Sequence, residues 1–404
     1  MAEKGEQHVP ALDGLRGIAI LFVLIAHFRL ASNASLTDHI YNVTAAAGYS
    51  GVDLFFVLSG FLITGILLDA KTRGRHTYFR NFYARRALRI LPLYYGFIAF
   101  LILVWPRIHA ITPPLVLLQH NQWWYWLHAT NFLWATSGAA ALPYNTGHFW
   151  SLAVEEQFYL VWPVVVLLCS ERQLLRVCIG CVVGALLLRI GMVIGGVSDF
   201  WIYALPVTRM DTLACGAALA VVARSPEGVA RYRGLAGPVA LGAAVAWGAL
   251  YGLAEQWPAI DPLFRTVGYS AAAAMYGGAL VLAVTAPAGA VVASPFLRFF
   301  GKYSYGMYVL HEPLLAVIRP WLTRATRVPT LFGTLLPAQA VYFVLATAAT
   351  AAAAFVCWHV YERPFLSLKR FFPRTDPVSA QSGSAHSVRW WGSAQPDVPP
   401  GPHS

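Results

Sequence analysis

Apolar residues run along this chain in blocks of ~17–25, separated by short polar stretches. A helix needs about 20 apolar residues to cross a bilayer. The two-residue alternation of an outer-membrane barrel is absent. The pattern predicts spans near 12–31, 51–69, 90–106, 149–169, 174–195, 203–223, 235–253, 264–285, 303–318 and 334–358. The expected fold class is an all-α polytopic membrane protein of about ten transmembrane helices. The block 115–136 is rich in tryptophan (Trp123, Trp124, Trp126, Trp134) but is broken by Gln119, His120, Asn121, Gln122 and His128. It is expected to be re-entrant or interfacial, because a further crossing puts most later basic loops on the wrong side.

Residues 1–370 read as one membrane-embedded domain. Residues 371–404 are rich in Pro, Ser and Gly and read as a disordered cytoplasmic tail. No cleavable signal peptide, inverted repeat or appended soluble catalytic domain is expected.

Composition narrows the class. Of 404 residues, 58% are hydrophobic and 12% charged, about half the charge of a soluble domain. That excludes an ordinary cytosolic enzyme and a disordered chain. The net charge of +11 reads as topology rather than nucleic-acid binding, because basic residues collect in short loops. Segment 71–89 carries Lys71 and six arginines but no acid. The positive-inside rule places it in the cytoplasm, with both termini inside. All five cysteines lie in apolar blocks. Cys178 and Cys181 lack a neighbouring His or acid, so neither a disulfide framework nor a metal site is expected.

The remaining polar residues sit where lipid excludes charge, which makes each a candidate for function. Asp13, Arg16 and His27 share the first span. Eleven residues make three turns plus about 20°, so Arg16 and His27 project from one face ~16 Å apart. Arg16 can hold a phosphate or pair with Asp13. His27 can act as a general base or satisfy a core hydrogen bond. The second span holds Asp53 at its outer end and Ser59-Gly60 at its middle; Ser59 reads as a packing residue or a nucleophile. Arg85, Arg86 and Arg89 read as a stop-transfer anchor or a pocket for a polyanion. Glu155 and Glu156 lie inside an apolar helix about 100° apart, so one can face a cavity and the other a neighbouring helix. His148 precedes them. Arg209 with Asp211, His311-Glu312, and Tyr361-Glu362-Arg363 read as structural pairs or caps.

LDGLRG with His27 eleven residues beyond Arg16, then GVDLFFVLSGF, FYARRALRILPLYY, SLAVEEQFYLVWP, KYSYGMYVLHEPL and YERPF resemble, in order, the motifs of the acyltransferase-3 family of integral-membrane O-acyltransferases. The resemblance covers roughly residues 8–370. It implies ten spans, an acyl-CoA donor (acetyl-CoA foremost), and transfer of a short acyl group to a hydroxyl. The implied acceptors are surface polysaccharide, lipopolysaccharide or a glycosylated metabolite, with macrolide-type antibiotics as an alternative. It implies His27 with Glu155 or Glu156 as catalytic residues, and Arg16, Arg85, Arg86 and Arg89 as donor-binding residues. Asp13, Asp53, Ser59, His148 and His311 remain substrate-site or packing candidates. One of the two glutamates is expected to orient His27, with direct transfer or an acyl-His27 intermediate both open. Phe22 and Phe28 suggest a short acyl chain. Neither a permanently bound cofactor nor a metal is expected, and the surroundings are the lipid bilayer, without nucleic acid. The Ala-, Gly- and Arg-rich, Lys-poor composition suggests a high-GC bacterium and hence its inner membrane. A proton-coupled transporter or flippase is the rival from another class.

Overall fold

The computed structural model describes residues 9–30, 35–71, 75–108, 113–143, 146–254, 261–286, 289–325 and 333–373. The tail from residue 374 onward, with Arg374, and the loop arginines Arg73 and Arg327 lie outside the described residues.

The described residues form helices α1 (Pro10–His27), α2 (Leu36–Ala46), α3 (Gly51–Lys71) and α4 (Arg75–Ala99), followed by α5 (Pro113–His120), α6 (Gln122–Trp126) and α7 (Thr130–Ser137). Then come α8 (Phe149–Leu168), α9 (Glu171–Ile194), α10 (Met210–Val222), α11 (Arg233–Leu253), α12 (Tyr269–Thr285), α13 (Pro295–Ala325) and α14 (Leu336–Cys357). Eight helical stretches among the described residues are long and apolar enough to cross a membrane. The other two expected spans fall on α10, which is short at 13 residues, and on α13, which is long at 31. The block 115–136 breaks into α5, α6 and α7. Eight residues reach only about 12 Å, so none of the three can span. The break at His128 takes a left-handed backbone, φ 49°.

Local chemistry sets the ends. Pro10 opens α1, where its missing N–H costs nothing. Ser170 and Gln173 close a reciprocal cap at the start of α9. Helices α9 and α11 expose most of their surface, and what they expose along their length is mainly apolar, with Leu187 and Leu241 more than 60% accessible. That is a lipid-facing surface.

The buried helices approach closely through glycine. Gly60 on α3 faces the Leu213 carbonyl of α10, and Gly216 on α10 faces the Val57 carbonyl of α3. A Cβ at either position falls 1.9 Å from that oxygen. The pairing is reciprocal, so both backbones depend on it. Gly60→Val and Gly216→Val are each expected to cost about 1–3 kcal/mol or more. Thermal unfolding of the detergent-solubilised protein checks this; unchanged midpoints contradict the contact. Helix α1 packs along α13 in the same manner, with Gly17 against the Leu297 carbonyl and Gly301 against that of Asp13.

Candidate active site

Two cavities lie between α1, α3, α4, α8 and α13. The outer one is a vestibule of about 640 Å³. Seven basic side chains line it against one carboxylate, Asp13. The arginine cluster of α4 supplies Arg85, Arg86 and Arg89; Arg16, Arg298, Lys302 and Lys369 come from elsewhere in the chain. Lys302 sits over the Trp358 ring at 4.3 Å, so the wall is partly aromatic. Arg85 also donates to the Phe372 carbonyl at 2.9 Å, tying the vestibule to the end of the described chain.

Arg16, Arg86 and Arg89 border both cavities and form the neck between them. Arg16 donates to Asp13 at 3.3 Å, one turn away. Inside the neck lies a chamber of about 120 Å³. Helix α8 contributes the stripe Ser151, Glu155 and Tyr159, spaced four apart and so on one face. Helix α3 faces it with Phe55, Phe56, Ser59 and Ile63. Ser59 and Tyr159 share a hydrogen bond. Glu155 interacts with both hydroxyls and with the Arg86 and Arg16 guanidiniums. Glu156 interacts instead with Tyr94, Tyr95 and Tyr305 as well as with Arg86. The 100° between neighbours thus sends one carboxylate to the cavity and one to the helix interface.

Tyr308 closes the inner end of the chamber. Its hydroxyl bonds with Ser151 and donates to the His148 carbonyl at 3.2 Å. Phe55 packs edge-on against its ring. On the other side of Tyr308 stand His148, His311 and His27: the ring centroids of His148 and His27 lie 4.6 and 4.9 Å from that of His311. His27 lines neither cavity. Its Nδ1 donates to the Val23 carbonyl at 2.8 Å, because a carbonyl oxygen only accepts. The Nε2 lone pair is therefore available and faces Glu312 Oε1 at 3.7 Å. Both side chains retain 16% exposure.

The acyltransferase domain model of the acyltransferase-3 family matches residues 9–359. The chain belongs to this family. The match assigns it to the acyltransferase class of enzymes, in a multi-pass membrane setting. Among curated proteins it is 27% identical over 345 residues to the peptidoglycan O-acetyltransferase OatA of Listeria monocytogenes, covering 78% of this chain and 51% of that protein. It is 32% identical over 237 residues to the putative peptidoglycan O-acetyltransferase YrhL of Bacillus subtilis, covering 55% and 35%. It is 30% identical over 233 residues to the O-acetyltransferase OatA of Staphylococcus aureus, covering 54% and 35%. The chain thus spans a third to a half of the length of these relatives. No solved structure matches.

The structure places the candidate residues in two groups, one at the cavities and one around His27. Arg16, Arg85, Arg86 and Arg89 meet at the vestibule. Glu155 and Ser59 share the chamber with Arg16. The carboxylate at His27 is Glu312, in place of Glu155 or Glu156. The reason is height: Glu155 sits level with Arg16, whereas His27 is three turns further along α1. His311 and Glu312, read from sequence as structural, stand beside His27. Arg209 and Asp211 do not pair. Arg209 precedes the first turn of α10 and reaches Asp53, whereas Asp211 lies in that turn and reaches Arg189 at 2.7 Å. Asp53 is therefore engaged in packing. Cys178 and Cys181 are free thiols.

The Arg209–Asp53 pair is buried, and the guanidinium lies 3.8 Å from the Tyr269 ring centroid. Arg209→Met leaves Asp53 uncompensated and is expected to cost about 3–5 kcal/mol. Adding Asp53→Asn should recover part of that loss, as read by unfolding in detergent. A single variant as stable as the wild type contradicts this account.

Proposed function

We propose that this protein transfers an acetyl or similarly short acyl group from acyl-CoA to a hydroxyl of a carbohydrate acceptor at the bacterial inner membrane. The observation that carries the donor assignment is the vestibule, whose seven basic side chains against one carboxylate narrow through Arg16, Arg86 and Arg89 into a chamber between helices. A coenzyme A head carries several phosphates, and guanidinium forks match phosphate oxygens. The basic end is then the cytoplasmic one, in keeping with the positive-inside rule. The names of the relatives, two of which specify peptidoglycan and all three O-acetyl transfer, support a glycan acceptor and an acetyl group.

The mechanism follows from the placement of the residues. The nucleotide head docks on the neck arginines, and the pantetheine arm runs along α1, whose Arg16 and His27 are ~16 Å apart. For the acyl end to reach His27, the Tyr308 and Phe55 rings that close the chamber must turn aside. The acceptor hydroxyl donates to His27 Nε2 and attacks the thioester carbon as that nitrogen takes its proton. Glu312 faces the imidazolium as it forms. The tetrahedral intermediate expels the CoA thiolate, which recovers the proton as a thiol, and the ester remains on the acceptor.

Thermal stabilisation tests the donor assignment. Acetyl-CoA at 100 times its Kd should add about 2.7 kcal/mol of stability, while a CoA-free sugar at the same concentration should not. No shift with acetyl-CoA at millimolar concentration contradicts it.

A further inference from the structure

We propose that His27, His311 and Glu312 form a binding site for a divalent transition-metal ion, zinc foremost, whose occupancy takes the lone pair that His27 uses as a base. One donor atom from each of the three lies within 4.8 Å of the others. Both imidazoles have their tautomer fixed by a backbone carbonyl one turn back. His27 Nδ1 donates to Val23 and His311 Nδ1 donates to Tyr308 at 2.7 Å. Each therefore keeps its Nε2 lone pair for another partner. Anchoring of the second ring nitrogen on a carbonyl is the usual support of a metal-binding histidine.

His311 is wholly buried, and its Nε2 has no hydrogen-bond partner among the described residues. A buried acceptor without a partner calls for a ligand. Two imidazoles and a carboxylate are a donor set of zinc sites that keep an open fourth position. Zinc bonds of about 2.0–2.1 Å set tetrahedral donors ~3.3 Å apart, so the three must draw in by up to ~1.5 Å, within reach of side-chain torsions. The backbones that carry them are held by the glycine contacts between α1 and α13. Arg29 acts electrostatically on His27, but its donors serve the carbonyls of Ala26 and Asn42, and Glu312 supplies the offsetting charge. A hydroxyl acceptor and the ion then compete for one lone pair. Only this competition rests on the acyl-transfer reading; the binding site itself stands on geometry.

The test uses the full chain in detergent, stripped of metal and titrated with Co²⁺ as a spectroscopic probe. One Co²⁺ per chain should bind with the visible absorption of a four-coordinate ion and be displaced by Zn²⁺. His311→Asn and Glu312→Gln should each weaken binding at least tenfold, and an unchanged acetyl-CoA thermal shift reports that the variants are folded. In the transfer assay Zn²⁺ should inhibit the wild type reversibly, with activity restored by a chelator, while His311→Asn transfers at Zn²⁺ concentrations that stop the wild type. Absence of saturable Co²⁺ binding, or binding unchanged in both variants, overturns the site and leaves acyl transfer standing. Zinc that binds there without slowing transfer overturns the competition.

Discussion

Arg86→Gln and Arg89→Gln are each expected to raise the Kd for acetyl-CoA roughly 10- to 150-fold, the equivalent of about 1.5–3 kcal/mol per charged hydrogen bond. Both residues border the vestibule and the chamber, so each can contact the phosphates and guard the entry of the arm. Lysine in their place keeps the charge but loses the fork, and its effect should be intermediate. Arg85→Gln should cost less, because Arg85 already serves the carbonyls of Lys369 and Phe372. Affinity should also fall as salt rises. Calorimetric titration checks each expectation, and a double variant that binds acetyl-CoA like the wild type removes the donor site from this end of the molecule.

His27→Ala is expected to lower turnover by about 10²–10⁴-fold, the range for loss of a general base. Donor affinity should change little, because His27 lines neither the vestibule nor the chamber. Glu312→Gln should cost less, on the order of 10–100-fold in turnover, since it removes one charged contact to the imidazolium and leaves the base in place. The Val23 carbonyl still fixes the tautomer in that variant. Mass spectrometry of the protein after acetyl-CoA and before acceptor separates the two chemical routes. An acetylated His27 peptide favours a covalent intermediate, and an unmodified one favours direct attack. Normal turnover in His27→Ala contradicts both.

The helical, polytopic fold was legible because lipid imposes it. Only apolar blocks of spanning length satisfy their backbones there, and the blocks recur along the chain. That residues 115–136 do not form one spanning helix was legible through the polar interruptions between the tryptophans; the three short helices were not. The basic vestibule was half legible. Arg85, Arg86 and Arg89 stand together in sequence, but Arg298, Lys302 and Lys369 join them only in space. From sequence those three carried a topology signal and nothing more.

The partner of His27 was not legible. The Glu155-Glu156 pair drew attention because adjacent acids in an apolar helix are rare, whereas Glu312 stands alone beside a proline. Height along the bundle decides the matter, and height needs both helices aligned. The signal that could have found Glu312 was its place in an apolar stretch with no basic residue until Arg319. The Arg209–Asp211 misreading has the same origin: nearness in sequence was taken for nearness in space, although Arg209 caps α10 from outside and Asp211 lies in its first turn.

The most direct measurement compares donor binding with turnover in the same purified preparations, reconstituted with labelled acetyl-CoA and a peptidoglycan-derived glycan. His27→Ala should bind acetyl-CoA within about twofold of the wild type and form no labelled product, a ground-state interaction kept and a transition-state one lost. The Arg86→Gln, Arg89→Gln double variant should do the reverse, binding the donor poorly yet approaching wild-type turnover when it is saturated. A His27→Ala protein that transfers the label normally, or a double variant with wild-type donor affinity, contradicts the account.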